Sequence, residues 1–120
     1  MFGSSARVAA VTTVCRRRGC DELQTAAALR AVRPLDKGHA PADRELAKQL
    51  QAMSRRFAQT AHRAQDAHEL QELAYVVLSS YAYLARAAGD PYYTPLFEQA
   101  AFAVRVELDE ERLEQVKQKL

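Results

Sequence analysis

Glycine and proline are scarce in this sequence, with four of each among 120 residues. All-β folds need many turns and disordered segments are often rich in these two residues, so their scarcity argues against both classes. No apolar run approaches the roughly 20 residues that span a bilayer, and we expect no membrane segment. The apolar stretch at the N-terminus precedes its arginines, whereas a secretory signal carries its positive charge first. The sequence therefore predicts a cytoplasmic protein.

Cysteines and catalytic motifs are equally sparse. Cys15 and Cys20 flank three arginines in the segment CRRRGC, and no second cysteine pair follows them. Because the histidines do not complete a set of zinc ligands, we predict no metal site, no cofactor and two reduced thiols in a helical core. The chain has no glycine-rich phosphate loop and no Gly-x-Ser-x-Gly segment, so we expect no enzymatic activity.

Apolar residues recur at helical spacing over several stretches. The clearest lies between residues 46 and 64, where apolar side chains follow steps of four and three residues. Asp21 with Gln24, and Asp66 with Glu69, have the spacing of capping boxes, and Gly19 suits the end of a first helix. Together these signals predict one all-α domain, a compact bundle of five to six helices.

The predicted domain has three parts. Residues 1–33 form a basic helical hairpin, residues 34–43 form a loop that contains prolines and a glycine, and residues 44–120 form the main bundle. A helix over residues 66–88 is apolar on most of its circumference, which predicts a central, buried position. Residues 102–108 alternate between apolar and polar side chains, as in a strand. Because the chain offers no partner strand, we predict a helix there and keep a strand as the alternative.

Charge is divided unevenly along the chain. Residues 1–65 hold 12 Lys and Arg against 5 Asp and Glu, a net charge of +7, whereas residues 66–120 hold 5 against 10, a net charge of −5. If the two halves fold into separate regions, the protein has a basic surface and an acidic surface.

The basic surface is predicted to centre on the helix that follows the loop. Four of its cationic or titratable residues are spaced by 4, 7 and 7 and share one face, and no Asp or Glu lies between residues 47 and 64. Aligned arginines and lysines bind a phosphate backbone without reading bases. Three more arginines end the first helix. The predicted nucleic-acid-binding residues are Arg44, Lys48, Arg55, Arg56, His62 and Arg63, with Arg16, Arg17 and Arg18.

The acidic surface is predicted to contact protein partners. Tyr92 and Tyr93 follow a Gly–Asp–Pro break and are expected to be exposed, as in many partner contacts. If the halves occupy opposite ends, the acidic end of one copy meets the basic end of the next, and the contact repeats head to tail. If the halves interleave, the charges pair within a monomer. The predicted partner-contact residues are Tyr92, Tyr93, Glu107, Asp109, Glu110, Glu111 and Glu114.

A small helical chain that is basic on one side and acidic on another resembles the small subunits of multi-subunit CRISPR effector complexes, which act in antiviral defence. The resemblance covers size, helix content and charge division over the whole chain, without a shared motif. It implies a non-catalytic subunit that binds RNA or DNA through its backbone, beside other protein subunits. Two alternatives stay open: an adaptor whose basic face docks an acidic protein, and a helix-turn-helix regulator that reads bases with Gln24, Thr25 and Arg30 after the turn at Gly19.

Overall fold

A computed structural model describes residues 2–37 and 41–119, with the backbone alone described for residues 2–5, 36 and 37. These residues form six helices: α1 (Phe2–Arg17), α2 (Glu22–Arg30), α3 (Arg33–Lys37), α4 (Arg44–Ala61), α5 (Ala67–Ala87) and α6 (Tyr93–Gln118). The described residues contain no strand, and they confirm the predicted all-α bundle of five to six helices. Residues 102–108 lie within α6, so the helical interpretation of their alternating pattern is correct.

The capping residues identified in the sequence begin and end these helices. Asp21 caps α2 through a reciprocal pair of hydrogen bonds with Gln24, and Asp66 caps α5 by accepting from the backbone N–H of Glu69. Gly19 and Gly89 follow α1 and α5 with φ angles of +70° and +69°, a conformation that glycine adopts without steric penalty. Local sequence signals therefore fix most helix boundaries.

One predicted boundary is wrong. The short helix α3 (Arg33–Lys37) overlaps the start of the segment 34–43, for which the sequence predicts a loop. Pro34 lies in the first turn of this helix, where a missing N–H leaves no hydrogen bond unmade. Residues 38–40 of the predicted loop lie outside the described residues.

Two antiparallel helix pairs and one parallel pair organise the bundle. Leu73 and Val77 of α5 pack beside Met53 and Phe57 of α4, so these helices form an antiparallel hairpin. Polar contacts between the start of α5 and the later part of α6, and between the end of α5 and the start of α6, make that pair antiparallel too. Helix α1 runs beside α4 in the same direction, because contacts link residue 7 to residue 54 and residue 18 to residue 64.

The core centres on aromatic residues of α5 and α6. Phe97 is fully buried, and its ring lies 4.8 Å from that of Tyr81 and 5.4 Å from that of Tyr93, measured between centroids. The hydroxyl of Tyr81 donates to the carbonyl of Ala31 at 2.8 Å, which ties α5 to the end of α2. Burial raises the pKa of this phenol. The hydroxyl is therefore a structural donor in the interior.

Helix α5 is less enclosed than its sequence predicts. The predicted central position is correct, because α5 packs against α2, α4 and α6, but Val76 is 59% exposed and Tyr83 is 73% exposed, so the predicted burial is only partial. Its neighbours α2, α4 and α6 cover only part of its circumference. Apolar character around a helix thus overstates its burial in a small bundle, where every helix reaches the surface.

The two cysteines are free thiols at the junction of α1 and α2. Cys15 is buried and Cys20 is partly buried. Burial raises the pKa of Cys15, and burial together with the neighbouring Cys15 raises the pKa of Cys20 to about 12. Cys15 therefore lies in the helical core, as the sequence predicts.

We expect both thiols to react slowly with iodoacetamide at pH 8. The thiolate is the nucleophile, and raising a thiol pKa from 9.0 to about 12 lowers the thiolate fraction roughly a thousandfold. Mass spectrometry of the folded and the denatured chain measures the two rates, and equal rates would contradict the structure. Because unfolding lets the thiols ionise near pH 9, the free energy of unfolding should also fall as the pH rises from 9 towards 12.

Candidate nucleic-acid interface

A groove of about 410 Å³ lies between the parallel helices α1 and α4. Ala6, Ala10 and Ala58 form its floor, and Arg7 and Arg55 line it from the two helices. No carboxylate lines the groove among the residues that the structure describes. Small side chains on the floor let an extended polyanion approach the backbone closely, with a guanidinium on either side.

Arg7 is held in this groove by the core. Its Nη1 donates to the hydroxyl of Ser54 at 3.1 Å, and Ser54 is completely buried. Arg7 is not among the predicted interface residues. The available signal is Ser54 itself, which interrupts the apolar stripe between Leu50 and Phe57, because a buried hydroxyl needs a partner.

The cations of α4 are distributed over both of its exposed flanks. All of them lie at the surface, and the side chains make no ion pair or hydrogen bond to any other described residue. Arg55 lines the α1–α4 groove. Arg56 lines a pocket between α4 and α5, together with Met53 and Phe57. His62 is exposed just beyond the end of α4. We call the following five residues the basic face: Arg44, Lys48, Arg55, Arg56 and Arg63.

The three consecutive arginines at the end of α1 divide into two roles. Arg16 and Arg17 are exposed. Arg18 donates through Nε to the carbonyl of Ala64 at 2.5 Å and through Nη2 to the carbonyl of His62 at 2.8 Å. These carbonyls follow the C-terminus of α4 and lack partners within the helix. The structure therefore corrects the prediction for Arg18, whose guanidinium fastens α1 to α4.

Among the described residues, ion pairs lie in the acidic half of the chain. The arginine–carboxylate pairs and the two carboxylate contacts of His68 all lie between residues 68 and 111, within or between α5 and α6. Arg86 pairs with Glu98, and Arg105 lies 3.4 Å from Asp109. The acidic half thus neutralises part of its own charge, while the positive potential of the basic face is left unopposed by contact partners.

The predicted acidic contact residues divide into two sites. Glu107, Glu110, Glu111 and Glu114 line one cleft on α6. Asp109 lies away from that cleft and pairs with Arg105, so the prediction that it belongs to the same contact surface is wrong. The division follows from helical geometry, because residue 109 is rotated by about 200° from residue 107 around the helix axis.

Tyr92 and Tyr93 do not form an exposed pair. Tyr92 is 50% exposed, but Tyr93 is 2% exposed and stacks on Phe97, so the prediction is wrong for Tyr93. The carboxylate of Asp90 accepts from the backbone N–H of Tyr93 at 2.7 Å. That bond starts α6 at Tyr93 and directs its ring into the core.

The two halves of the chain interleave in space. Helix α4 of the basic half packs along α5 of the acidic half, and Asp21 lines the same cleft as the glutamates of α6. The condition for a head-to-tail contact, basic and acidic halves at opposite ends, is therefore not met.

Two further structural observations concern membranes and metals. In the described part of the chain, no helix is both long enough and apolar enough to cross a membrane. No three His, Cys, Asp or Glu side chains within residues 2–37 and 41–119 come together as a group that can hold a metal ion.

Comparison with protein-family models, with curated proteins and with solved structures gives no match to this chain.

Proposed function

We propose that this protein binds the phosphate backbone of a nucleic acid through its basic face and the adjoining α1–α4 groove. The observation that carries the proposal is the contrast in ion pairing. The cations of α4 make no ion pair with any described residue, whereas Arg86 and Arg105 each pair with a carboxylate and His68 contacts two more. Positive charge that a fold leaves unpaired on one surface attracts a polyanion.

The chemistry of the groove favours backbone contact over base reading. Its lining is mainly alanine and arginine, and the one amide side chain that lines it belongs to Gln59. Residues 6–17 of α1 extend about 16 Å, which matches four or five phosphates at roughly 3.4 Å per nucleotide of a stacked strand. The interface therefore suits sequence-independent binding of a phosphate backbone.

The helix-turn-helix alternative receives less support. Gln24 would be a base-reading residue, but its Oε1 accepts from the backbone N–H of Asp21 at 3.0 Å in the capping box. The following residues Ala27, Ala28 and Leu29 are buried. Helix α2 thus offers few side chains to the edges of bases.

The adaptor alternative uses the same cations against an acidic protein. A competitor distinguishes the two: polyglutamate has the charge of a polyanion but lacks phosphates spaced along a strand. We expect unlabelled single-stranded nucleic acid to displace a labelled strand at far lower charge concentration than polyglutamate does.

Replacing Arg55 and Arg56 together by alanine should weaken binding to all sequences by a similar factor. Each lost phosphate contact contributes on the order of 1 kcal/mol, so the double variant should bind roughly 10- to 100-fold less tightly. Fluorescence anisotropy with labelled strands of two unrelated sequences measures the change.

The matched control is the Arg112→Ala, Lys117→Ala variant, which removes two exposed cations from α6. It loses the same net charge and should bind almost as tightly as the unmodified chain. An equal loss of affinity in both variants would show that net charge alone attracts the strand, and would rule out the proposed interface.

Membership of a larger complex stays a prediction, as does the resemblance to small CRISPR subunits and the cytoplasmic location. The test is co-purification from the native host with and without nuclease. Protein subunits that remain bound after nuclease treatment would support the multi-subunit hypothesis, and a free monomer in both preparations would contradict it.

A further inference from the structure

An acidic cleft of about 380 Å³ lies where the start of α2 meets α5 and α6. Asp21 and the four glutamates at 107, 110, 111 and 114 line it, beside Gln71. No Lys, Arg or His is part of the lining among the described residues. Five carboxylates make this cleft acidic, and of these five Glu111 also contacts His68, whose Nδ1 lies 3.1 Å away outside the lining.

Gln71 brings an unsatisfied hydrogen-bond acceptor to this cleft. Its side chain is 97% buried, and its Nε2 donates to the carboxylate of Glu107 at 3.3 Å. Its Oε1 is buried without a partner among the described residues. A buried amide oxygen that accepts no hydrogen bond is destabilising, so its presence points to a donor that arrives from outside.

The donor that fits is a guanidinium group. The cleft presents acceptors of two kinds, carboxylates and an amide oxygen, and the described residues hold no group suited to a metal ion. A guanidinium carries five N–H donors in one plane and is weakly hydrated, so it serves several acceptors at once. Leu23, which is 58% exposed at the cleft, offers apolar surface to the methylene stem of an arginine.

This chain supplies such a group beside its own cleft. Arg16 and Arg17 are exposed, make no ion pair within the described residues and lie four to five residues before Asp21. The turn between them is rigid: Arg18 fastens it to α4, and the N–H of Cys20 donates to the carbonyl of Cys15 at 3.0 Å. The arginine pair is therefore held in place before any partner arrives.

We propose that the acidic cleft receives the Arg16–Arg17 pair of a second copy, and that the two copies form a two-fold symmetric dimer. Because donor and acceptor lie at the same turn, a two-fold axis beside it places each copy's arginines in the other copy's cleft. Such a contact closes on itself and is made twice per dimer. Its product is a dimer, in place of the filament that charges at opposite ends would produce.

The proposal is tested by the mass of the protein in solution without nucleic acid. At about 50 mM NaCl, where surface charges are weakly screened, sedimentation equilibrium should show a mass that rises with concentration and stops at twice 13.4 kDa. Two double variants should each weaken the dimer at least tenfold. One is Arg16→Ala with Arg17→Ala, and the other is Glu107→Gln with Glu110→Gln. Masses beyond the dimer, or a monomer at every concentration, would overturn the proposal.

Gln71→Leu tests the role of the unpartnered oxygen. Leucine has a similar size and removes the unsatisfied acceptor, so the monomer should keep or raise its melting temperature while the dimer weakens at least tenfold. Glu72→Gln is the matched control, because this exposed carboxylate lies on α5 outside the cleft, and it should leave the dimer unchanged. If Gln71→Leu leaves the dimer as strong as before, the cleft is not the receptor.

Measuring both dimerisation and nucleic-acid affinity for the same variants distinguishes this proposal from the proposed function. The Glu107→Gln, Glu110→Gln variant should lose the dimer and keep its nucleic-acid affinity, whereas Arg55→Ala, Arg56→Ala should do the reverse. A titration with acetyl-arginine amide, followed by NMR at the Gln71 side-chain amide, completes the test. Binding of this probe at the cleft by a chain that never dimerises would show that the second copy is not the occupant.

Discussion

Replacing Phe97 by alanine should lower the free energy of unfolding by about 3–5 kcal/mol, the largest effect that we expect from any single substitution. Phe97 is fully buried and lies within 5.4 Å of both Tyr81 and Tyr93, measured between ring centroids. Its removal leaves a cavity at the point where α5 and α6 meet the end of α2. Urea denaturation followed by circular dichroism measures the change.

Phe102 provides a control of the same residue type on the same helix. It is 70% exposed, so Phe102→Ala should change the free energy of unfolding by no more than about 0.5 kcal/mol. Since small domains are stable by only about 5–15 kcal/mol, the Phe97 variant should be partly unfolded at physiological temperature. Similar stabilities for the two variants would show that the aromatic cluster does not form the core.

Nucleic-acid affinity should fall roughly 60- to 250-fold between about 50 and 200 mM NaCl. Four cations of the basic face in contact with phosphates give a log–log slope of roughly −3 to −4, because each contact releases condensed counterions. Anisotropy titrations at several salt concentrations measure this slope for a single strand and for a duplex of equal length.

The slope also identifies the residues in contact. In the Arg55→Ala, Arg56→Ala variant it should become shallower by about 2, whereas the Arg112→Ala, Lys117→Ala control should keep the original slope. Affinity that does not change with salt would rule out phosphate binding. If the double variant instead changes its preference between two sequences, the result would support the alternative that the protein reads bases.

The helices were predictable because their signals are local. Asp21 with Gln24 lies within one turn of α2, and the apolar steps between residues 46 and 64 repeat within α4, so neighbouring residues suffice to detect them. The exposure of the basic face follows from the same periodicity. Cations that alternate with a buried stripe must lie on the outer side of the helix.

The errors concern contacts between residues distant in sequence. Arg18 binds carbonyls 44 and 46 residues away, and Tyr93 is buried because a turn at Asp90 directs it onto Phe97. The acidic cleft joins Asp21 to glutamates more than 80 residues later. Periodicity and capping rules carry no information on which helices become neighbours, so these contacts required the three-dimensional arrangement.

The absence of ion pairs on the basic face, in the part of the chain that the structure describes, has a consequence for the protein on its own. Its cations repel one another in the folded state, and no contacting carboxylate offsets that repulsion. Unfolding spreads these charges apart, so self-repulsion favours the unfolded chain at low ionic strength. Added salt should therefore raise the melting temperature of the free protein over the same range in which it dissociates the complex.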